Sequence, residues 1–582
     1  MTEPLTVWAP EAQRVEVSLP TGRVPMEARE DGWWASPEPL APGTDYLLHV
    51  DGGPGMPDPR SPWQPEGVHG PSRTFDAGAF EWTDGTWAGR SCLGAAVYEL
   101  HVGTFTPEGT LDAAIARLDH LVDLGVDMVE LMPVAAFPGE FGWGYDGVAL
   151  YAVHAPYGGP EALQRFVDAA HGRGLAVCLD VVYNHLGPSG NYLGRFGPYF
   201  TERHHTPWGA AVNLDGPDAA PVRRFVIDNA VRWLRDFHVD ALRLDAVHAL
   251  LDDSETHLLA ELSDTVARLE REVGRPLSLI AESDLNDARM VTPTARGGLG
   301  MTAQWDDDVH HALHARLTGE GHGYYVSFGT TETLRTALSE VFVHAGSFSE
   351  FRGKVWGAPV PAEVDARRFV VFSQNHDQVG NRAIGDRPSR VLDDGRLAVS
   401  AALTVLGPYT PMLFMGEEWG ARTPFQYFTD HAEPELAEAI RRGRTEEFAS
   451  HGWEEVYGED VEVPDPQART TFEASKLDWD EAEEPSRARL LAFYRDLLRL
   501  RRTEADIASG VRADTGVTAP DDGGWLAMYR GAIAVVVNLD DESRDVPIRG
   551  SVRELVLGWS GEATVAGDVL TLPGHDVAVV RC

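Results

Sequence analysis

Residues 240–247 read DALRLDAV, an apolar run of strand length that carries Arg243 and Asp245 near its end. Seven further runs have the same apolar character: AAVYELHV (95–102), DMVELMPV (127–134), LAVCLDVV (175–182), LSLIAES (277–283), MTAQWD (301–306), RFVVFSQN (368–375) and TPMLFMG (410–416). Strands that are apolar on both faces are typical of parallel sheets covered by helices. Eight such strands predict an α/β protein built on a closed (β/α)8 barrel, the TIM barrel.

The stretches between most of these strands predict amphipathic helices, because apolar residues recur three and four positions apart. They include TLDAAIARLDHLVDLG, PEALQRFVDAAHGRG, PVRRFVIDNAVRWLRDF and ETHLLAELSDTVARLERE. Two connections, at about 183–220 and 307–367, are longer than a simple crossover needs. Long ordered loops at the C-terminal face of a barrel usually build its binding site. The segment 487–504 is predicted to be the closing helix.

Both ends of the chain show short alternating runs that are typical of β-sandwiches. At the N-terminus these runs lead into GGPGMPDPRSPWQPEG (52–67), whose proline and glycine content indicates an extended connection. We therefore expect three units: an N-terminal β-sandwich over 1–90, the barrel with its inserted loops over 91–514, and a C-terminal β-sandwich domain over 515–582.

The charge balance excludes most nucleic-acid-binding functions. The chain has 582 residues, with 49 Lys+Arg against 90 Asp+Glu, and a formal charge of −41. A protein that binds a polyanion needs a basic surface to offset phosphate charge. We expect a neutral or cationic ligand instead, and no nucleic-acid partner.

The cysteines and the N-terminus indicate a cytoplasmic protein. Cys92, Cys178 and Cys582 are an odd number spread along the chain, without the spacing of a disulfide framework or a metal cluster. The first residues lack a basic region followed by an apolar one, and no segment approaches the ~18 apolar residues of a membrane span. We therefore expect no membrane partner.

Four acidic residues follow apolar strands at the end where a barrel carries its active site. They are Asp180 in LDVVYNH, Asp245 in LRLDAVH, Glu282 in IAESD and Asp377 in SQNHDQ. A lone carboxylate in such a place is typical of a helix cap or a salt bridge. Four carboxylates on separate strands of one barrel predict a common site.

Arg243 and Asp245 are two residues apart on one strand, so both side chains point into the barrel. The guanidinium would keep Asp245 ionised, as a nucleophile requires, although a buried structural ion pair has the same pattern. The apolar setting of Glu282 would raise its pKa, which suits a general acid, although an ordinary buried glutamate fits too. One protonated and one ionised carboxyl is the pairing that retaining glycoside hydrolysis needs.

Other polar and aromatic residues near these strand ends fit a carbohydrate ligand. Asp377 would bind sugar hydroxyls, and His185 and His376 would donate hydrogen bonds to sugar oxygens, although a lone histidine is also typical of a cap or core residue. Tyr145 is placed to stack beneath a pyranose, because an aromatic ring offers it an apolar face. The tryptophans in the predicted mouth loops have the same potential, and loop-anchoring packing is the alternative for each of them: Trp143, Trp208, Trp305 and Trp419.

The motifs LDVVYNH, LRLDAVH, AES and NHDQ, in this order on strands three, four, five and seven, resemble the four sequence regions of the α-amylase superfamily. The resemblance implies an α-glucan substrate, Asp245 as nucleophile, Glu282 as acid/base and Asp377 as stabiliser of the transition state. It also matches Arg243, His185 and His376. The N-terminal part resembles the carbohydrate-binding-module-like sandwich that precedes the barrel in branching and debranching enzymes.

Longer stretches resemble one group within this superfamily: 141–158, 199–217, 303–320 and 375–382. That group hydrolyses the α-1,4 bond next to the terminal trehalose unit of maltooligosyltrehalose and releases trehalose. The resemblance implies a set of substrate-binding residues: Tyr145, Asp146, His185, Trp208, Arg243, His248, His376, Gln378 and Arg382. It implies no cofactor, and Asp180 and Asn184 show no calcium-ligand spacing, so we predict no metal.

Two other classes remain open from the residues themselves. A branching enzyme would pass the glycosyl group to a glucan hydroxyl, and a binding protein would keep the fold without turnover. Branching enzymes typically carry Glu where this chain has Gln378, which favours a hydrolase. The binding protein is disfavoured because every expected catalytic residue is present.

Overall fold

The computed structural model describes residues 4–450, 454–458 and 461–582, so residues 1–3 of the predicted N-terminal unit lie outside the described residues. Eight parallel strands form a closed barrel. They are β1 (Val97–Leu100), β2 (Met128–Leu131), β3 (Ala176–Val181), β4 (Ala241–Leu244), β5 (Ser278–Ala281), β6 (Ala303–Trp305), β7 (Phe369–Phe372) and β8 (Thr410–Phe414). The barrel closes where β8 pairs with β1, with Met412 opposite Val97. The predicted (β/α)8 barrel is confirmed.

The interior of the barrel changes from apolar to charged along the strands. Toward the N-terminal end, small and medium apolar side chains form a cluster of their own: Val97, Met128, Ala176, Cys178, Ala241, Ile280, Val370, Phe372 and Met412. Side chains two positions further on share the inward direction. On the first four strands these buried residues are charged: Glu99, Glu130, Asp180 and Arg243. The polar end of the interior is therefore the C-terminal end of the strands.

Helices surround the barrel, and most of the longer ones bury an apolar face in the core, whereas the described residues of Pro434–Ser450 are mostly exposed. The principal ones are Gly159–His171, Ala219–Asp236, Leu258–Val273, Asp307–Thr318, Thr331–Glu340, Asp394–Leu406, Pro434–Ser450 and Pro485–Thr503. Shorter ones are Val102–Phe105, Leu111–Ile115, Leu118–Leu124, His376–Gly380, Glu454–Tyr457, Arg469–Ala474 and Ala505–Ala508. Pro485–Thr503 corresponds to the predicted closing helix. In the described part of the chain, no helix is long and apolar enough to cross a membrane.

Two pairs of sheets flank the barrel. The N-terminal sheets are Thr6–Trp8, Trp33–Ala35 and Glu27–Ala28, and Gly22–Pro25, Val15–Leu19, Asp45–Val50 and Ser72–Arg73. The C-terminal sheets are Thr515–Thr518, Trp525–Arg530, Ile533–Asn538, Val577–Arg581 and Glu554–Gly558, and Arg544–Pro547, Val569–Leu572 and Thr564–Ala566. The flanking β architecture agrees with the predicted fold class, and the exact domain boundaries stay predictions.

The two long connections carry β-hairpins. The loop after β3 contains Phe200–Thr206 paired with Gly209–Val212. The loop after β6 contains Ser347–Ser349 paired with Lys354–Trp356. Both loops leave the C-terminal ends of their strands, so they belong to the face of the barrel where the charged interior opens. A short two-stranded antiparallel sheet, Ala135–Ala136 paired with Ala149–Val153, follows β2 on the same face.

The packing predicts how much a single barrel residue contributes to stability. Leu242, on the outward side of β4, is fully buried. Leu242→Ala leaves a cavity in the core and should lower the free energy of unfolding by about 2–5 kcal/mol. Leu555→Ala, at an exposed leucine of the C-terminal sheet, is the control and should lie within about 0.5 kcal/mol of the unsubstituted protein. Urea denaturation followed by circular dichroism measures both, and equal losses would contradict the prediction.

Candidate active site

A cavity of about 370 Å³ opens at the C-terminal end of the barrel strands. Its lining comes from the loops after β2, β3, β4, β5, β7 and β8. These residues are Trp143, Tyr145, Asp146, His185, Trp208, Asp245, Ala246, His248, Glu282, His376, Asp377, Asn381, Tyr427 and Thr429. The three predicted catalytic carboxyl groups therefore share one cavity.

Arg243 lies beneath this cavity and joins three carboxyl groups. Its Nη1 atom lies 2.7 Å from Asp180 Oδ2 and 3.0 Å from Asp245 Oδ1, and its Nη2 atom lies 3.1 Å from Glu282 Oε2. The guanidinium is fully buried and also faces the ring of Trp305 at 4.2 Å. One positive charge cannot balance three buried negative charges, so protonation of one carboxyl group is favoured.

Asp245 is held from both sides. Besides Arg243, the Nδ2 atom of Asn184 donates to Asp245 Oδ2 at 2.7 Å and to the Asp245 carbonyl at 2.9 Å. Together with Arg243, these contacts fix the direction of the Asp245 side chain. Asp245 remains part of the cavity lining, so one edge of a held carboxylate faces the space for a ligand.

Glu282 faces Asp245 across the same guanidinium. Ala246, next to Asp245, adopts a φ of 39°, a left-handed conformation that is unusual for alanine, and its N–H donates to Glu282 Oε2 at 2.5 Å. Burial raises the pKa of Glu282 to about 8; Arg243 opposes this shift, and Asp245 and Asp377 add to it. Glu282 is therefore the carboxyl group that carries a proton at neutral pH.

A hydrogen-bonded chain supports the cavity from the barrel interior. The Nδ1 atom of His376 donates to Glu99 Oε1 at 2.5 Å, and its Nε2 atom lies 2.7 Å from the Tyr145 hydroxyl. Tyr145 in turn donates to Asp180 Oδ2 at 2.6 Å. Burial disfavours the imidazolium, but Glu99 and then Asp377 outweigh it and raise the pKa of His376 to about 9. His376 is therefore a cation whose two ring nitrogens both donate.

Asp377 forms one wall of the cavity. Its Oδ1 atom accepts from Asn381 Nδ2 at 3.1 Å and lies 3.6 Å from His376 Nε2. The side chain is partly exposed to the cavity, unlike the carboxyl groups below it. Asn375 caps the short helix His376–Gly380 by accepting from the Gln378 N–H at 2.7 Å, and this fixes the direction of Asp377.

The outer wall contains the predicted sugar-binding residues. His185 donates through Nδ1 to Asn184 Oδ1 and stacks on Trp208, with ring centroids 4.5 Å apart and planes 7° apart. Trp208 is 50% exposed. Asp146 Oδ2 lies 3.3 Å from His431 Nε2. His248 reaches the cavity as well, and its Nδ1 atom is 3.8 Å from Asp284.

Arg382 and Gln378 occupy places that differ from their predicted role. Arg382 is buried, and its two Nη atoms lie 2.8 and 2.9 Å from the Glu320 carboxylate. It also contacts Asp386 at 3.2 Å, so its donors serve the packing of the loop after β7. The Nε2 atom of Gln378 donates to Asp307 at 3.4 Å, and neither side chain lines the cavity. Both residues therefore contact other side chains of the protein and not the cavity where the sugar was expected to bind.

The tryptophans divide in the same way. Trp143 and Trp208 line the cavity, whereas Trp305 lies below it against Arg243. Trp419 is fully buried and packs on Trp479 at a ring distance of 5.1 Å. Trp419 follows the end of β8, as the sequence predicts, but the segment that contains Trp479 covers its ring, so it does not reach the cavity.

Several residues that organise the site were not predicted from the sequence. Glu99 holds His376, Asn184 holds Asp245, and Tyr427 and Thr429 complete the wall from the loop after β8. A glutamate inside the apolar run AAVYELHV was a detectable signal, because a charge on a buried strand requires a partner. Tyr427 and Thr429 carry no comparable signal in the sequence.

Among the described residues, one group of side chains has the donor atoms and spacing of a cation site. His204, Asp215 and Asp253 bring donor atoms within 4.8 Å of one another. The Nε2 atom of His204 already lies 2.8 Å from Asp215 Oδ2, and Arg203 is 3.7 Å from the other oxygen. These contacts account for the group as an ion-pair network.

Family models match two parts of the chain. A model described as the catalytic domain of alpha amylase matches residues 75–199, which include the start of the barrel. A model described as a domain of unknown function matches residues 512–579, the C-terminal sheets.

Similar chains extend over the whole length. A protein from Arthrobacter ramosus, named malto-oligosyltrehalose trehalohydrolase, is 54% identical over 586 residues, which cover 100% of both chains. A protein of the same name from Rhizobium sp. (strain M-11) is 50% identical and covers 99% of this chain and 97% of its own. A 1,4-alpha-glucan branching enzyme from Vibrio parahaemolyticus is 32% identical but covers only 56% of this chain and 49% of its own.

The fold agrees with this similarity. A crystal structure from Salmonella typhimurium, assigned to the alpha amylases, superimposes with a TM-score of 0.90 at 38% identity and covers 100% of this chain and 97% of its own. The full-length similarity, the barrel and the three carboxyl groups at its mouth agree with one another. The chain belongs to the malto-oligosyltrehalose trehalohydrolase family of the α-amylase glycoside hydrolases.

Proposed function

We propose that this protein hydrolyses the α-1,4-glucosidic bond next to the terminal trehalose of maltooligosyltrehalose and releases trehalose and a maltooligosaccharide. The observation that carries the chemistry is the pair of carboxyl groups, Asp245 and Glu282, that Arg243 joins at the cavity, with the pKa of Glu282 raised to about 8 by burial. The substrate rests on the names of the full-length relatives at 50–54% identity.

In the first step, the Asp245 carboxylate attacks the anomeric carbon while the Glu282 carboxyl gives its proton to the leaving oxygen of the trehalose unit. The carbon–oxygen bond to trehalose breaks and an ester to Asp245 forms. Retaining enzymes need the two carboxyl groups about 5–5.5 Å apart, and attachment to one guanidinium supports such a close spacing. Arg243 holds the nucleophile in place through the 3.0 Å contact of its Nη1 atom with Asp245 Oδ1.

In the second step, Glu282 is ionised and takes a proton from water as the water oxygen attacks the same anomeric carbon. The ester to Asp245 breaks, the maltooligosaccharide leaves, and both carboxyl groups return to their first state. The anomeric configuration is inverted twice and so is retained.

The cavity wall supplies the contacts that orient the sugar. Tyr145 offers a ring face to the pyranose at the cleavage point, and Trp208 offers a partly exposed one further out. His185 and His376 support Tyr145 instead of donating to the sugar as the sequence predicts: His185 Nε2 lies 3.1 Å from the Tyr145 carbonyl and His376 Nε2 lies 2.7 Å from its hydroxyl. Their other ring nitrogens contact Asn184 and Glu99, so both rings shape the cavity wall. Asp377, the partly exposed carboxylate, is placed to accept from two hydroxyls and to favour a distorted ring in the transition state.

The branching reaction is the second candidate, because a glycosyl ester on Asp245 could be passed to a glucan hydroxyl. The similarity to a branching enzyme is partial, whereas the similarity to trehalohydrolases spans the chain. We therefore favour water as acceptor.

We also infer a cytoplasmic location, because Cys92 and Cys178 are buried free thiols.

Product analysis tests the function directly. Incubation with maltotriosyltrehalose should give trehalose and maltotriose, with the α anomer of maltotriose appearing first in proton NMR spectra. Maltopentaose, which has the same number of glucose units, is the matched control and should be cleaved far more slowly. New α-1,6 branches, or equal rates on both substrates, would contradict the proposal.

Substitution of the two carboxyl groups tests their roles. Asp245→Asn should reduce kcat by at least about 10⁴-fold, because no ester can form. Glu282→Gln should reduce it by about 10²–10⁴-fold on maltotriosyltrehalose, because the leaving oxygen receives no proton. With α-maltotriosyl fluoride, whose leaving group needs no proton, Glu282→Gln should keep most of its first-step rate. Glu255→Gln, at an exposed carboxyl in the loop after β4, is the control and should be fully active.

The raised pKa of Glu282 predicts the alkaline limit of activity. A general acid works only while protonated, and the pKa of about 8 keeps Glu282 protonated through neutral pH. Above it kcat/KM should fall by about tenfold per pH unit. Initial rates on maltotriosyltrehalose measure this. The control is Glu282→Gln acting on α-maltotriosyl fluoride with azide as acceptor, because this reaction needs no proton from residue 282. Its rate should not fall at alkaline pH. If the rate does fall, the alkaline decrease belongs to another group.

A further inference from the structure

A second cavity, of about 460 Å³, lies at the opposite end of the barrel from the active site. Its walls are formed where the chain enters β1, β2 and β3, and by the end of the helix Pro485–Thr503. We call it the basal cavity and define it by its charged residues: Arg90, Asp127, Arg173, Arg501 and Arg502. The strands of the barrel separate it from the catalytic carboxyl groups.

The charge of the basal cavity is opposite to that of the whole protein. Four arginines and one aspartate line it, in a chain whose formal charge is −41. A concave surface lined by one sign of charge concentrates ions of the other sign. The basal cavity is therefore a place where this acidic protein attracts anions.

Internal carboxylates offset only part of this charge. Asp127 Oδ1 is shared by Arg90 Nη1, at 2.5 Å, and Arg502 Nη2, at 3.1 Å. Arg173 contacts Asp119 at 2.6 Å, but the Asp119 side chain is 76% exposed. An ion pair that is open to water contributes little and is easily exchanged. Arg173 can therefore turn toward an anion in the cavity. Arg90 and Arg502 stay paired with the mostly buried Asp127, but each contacts it through a single nitrogen, so their remaining N–H groups can donate to the anion.

Arg501 gives the basal cavity a buried charge. It is 5% exposed, and all three of its guanidinium nitrogens donate to backbone carbonyl groups. Nη1 donates to Val405 and Gly407 at 2.8 and 3.0 Å, Nη2 to Tyr409, and Nε to Gly94 at 3.4 Å. Among the described residues, no carboxylate lies within ion-pair distance of it. A buried cation that is balanced only by carbonyl dipoles is costly. A bound anion would reduce that cost.

We propose that the basal cavity binds a small anion through a phosphate group. Guanidinium groups bind phosphate in pairs of parallel hydrogen bonds, and three partly exposed ones line this cavity beside a buried fourth. The volume exceeds what an inorganic phosphate ion fills and falls in the range of pockets for small metabolites. A phosphorylated sugar is therefore a better fit than the bare ion, although both present the same group.

The position determines what the ligand does. The basal cavity lies between the segments that precede the first three strands and the helix Pro485–Thr503. These parts of the chain are far apart in sequence. A ligand that binds the folded state alone raises stability in proportion to the logarithm of its concentration. It makes no contact with the catalytic carboxyl groups, so it stabilises the barrel without entering the reaction.

Thermal unfolding tests the proposal. Titration with inorganic phosphate and with glucose 6-phosphate, each against sodium chloride and glucose at equal ionic strength, should raise Tm progressively, and more with the sugar phosphate. The variant Arg90→Gln/Arg502→Gln should lose this response. Arg499→Gln, on the same helix but with a side chain that is 73% exposed, is the matched control and should keep it. All variants should keep the kcat of the unsubstituted enzyme.

Two results would overturn the proposal. One is a phosphate response no larger than that of chloride, and the other is an equal response in Arg90→Gln/Arg502→Gln. If that double variant does not fold, Arg173→Gln takes its place, because its contact with Asp119 lies at the surface. Equilibrium dialysis of radiolabelled phosphate should then give a Kd about tenfold weaker for Arg173→Gln than for Arg499→Gln. Equal Kd values would again overturn it.

Discussion

A single buried guanidinium organises the active end of this barrel. Arg243 contacts carboxyl groups on three neighbouring strands, those of Asp180, Asp245 and Glu282. Because its one positive charge meets three acids away from water, the acids cannot all be ionised. The strands thus position the carboxyl groups around one cation, and burial raises the pKa of Glu282 against the effect of that cation. Removing it would leave buried like charges facing one another.

The layering of the barrel makes this arrangement possible. An apolar interior at the N-terminal end of the strands excludes water and fixes the register, and charged side chains begin two positions further on. Glu99 shows the effect: it is as buried as its neighbours, yet it holds His376 as a cation and so aims Tyr145 at the cavity. The support of the site thus comes from the barrel itself, and the loops supply its walls.

The two ends of the barrel differ in charge. The mouth concentrates carboxyl groups for glycosidic chemistry, whereas the base holds four arginines around one aspartate. A neutral glucan is not steered by the acidic mouth, so the carboxyl groups there act through contact and protonation. At the base, by contrast, the charge itself would provide the binding. The overall charge of −41 therefore does not show that the two ends of the barrel carry opposite charges, because that separation depends on the fold.

The sequence alone determined the eight strands, their order and the acidic residue that ends each of four of them, because buried strands and strand-end carboxyl groups are local patterns. It also predicted a common site for Asp245, Glu282 and Asp377, three residues that line one cavity in the folded chain. Only the tertiary structure decided that Arg382 binds Glu320 and that Glu99 holds His376. Those pairings depend on which distant side chains are buried together, and a local pattern contains no record of such long-range contacts.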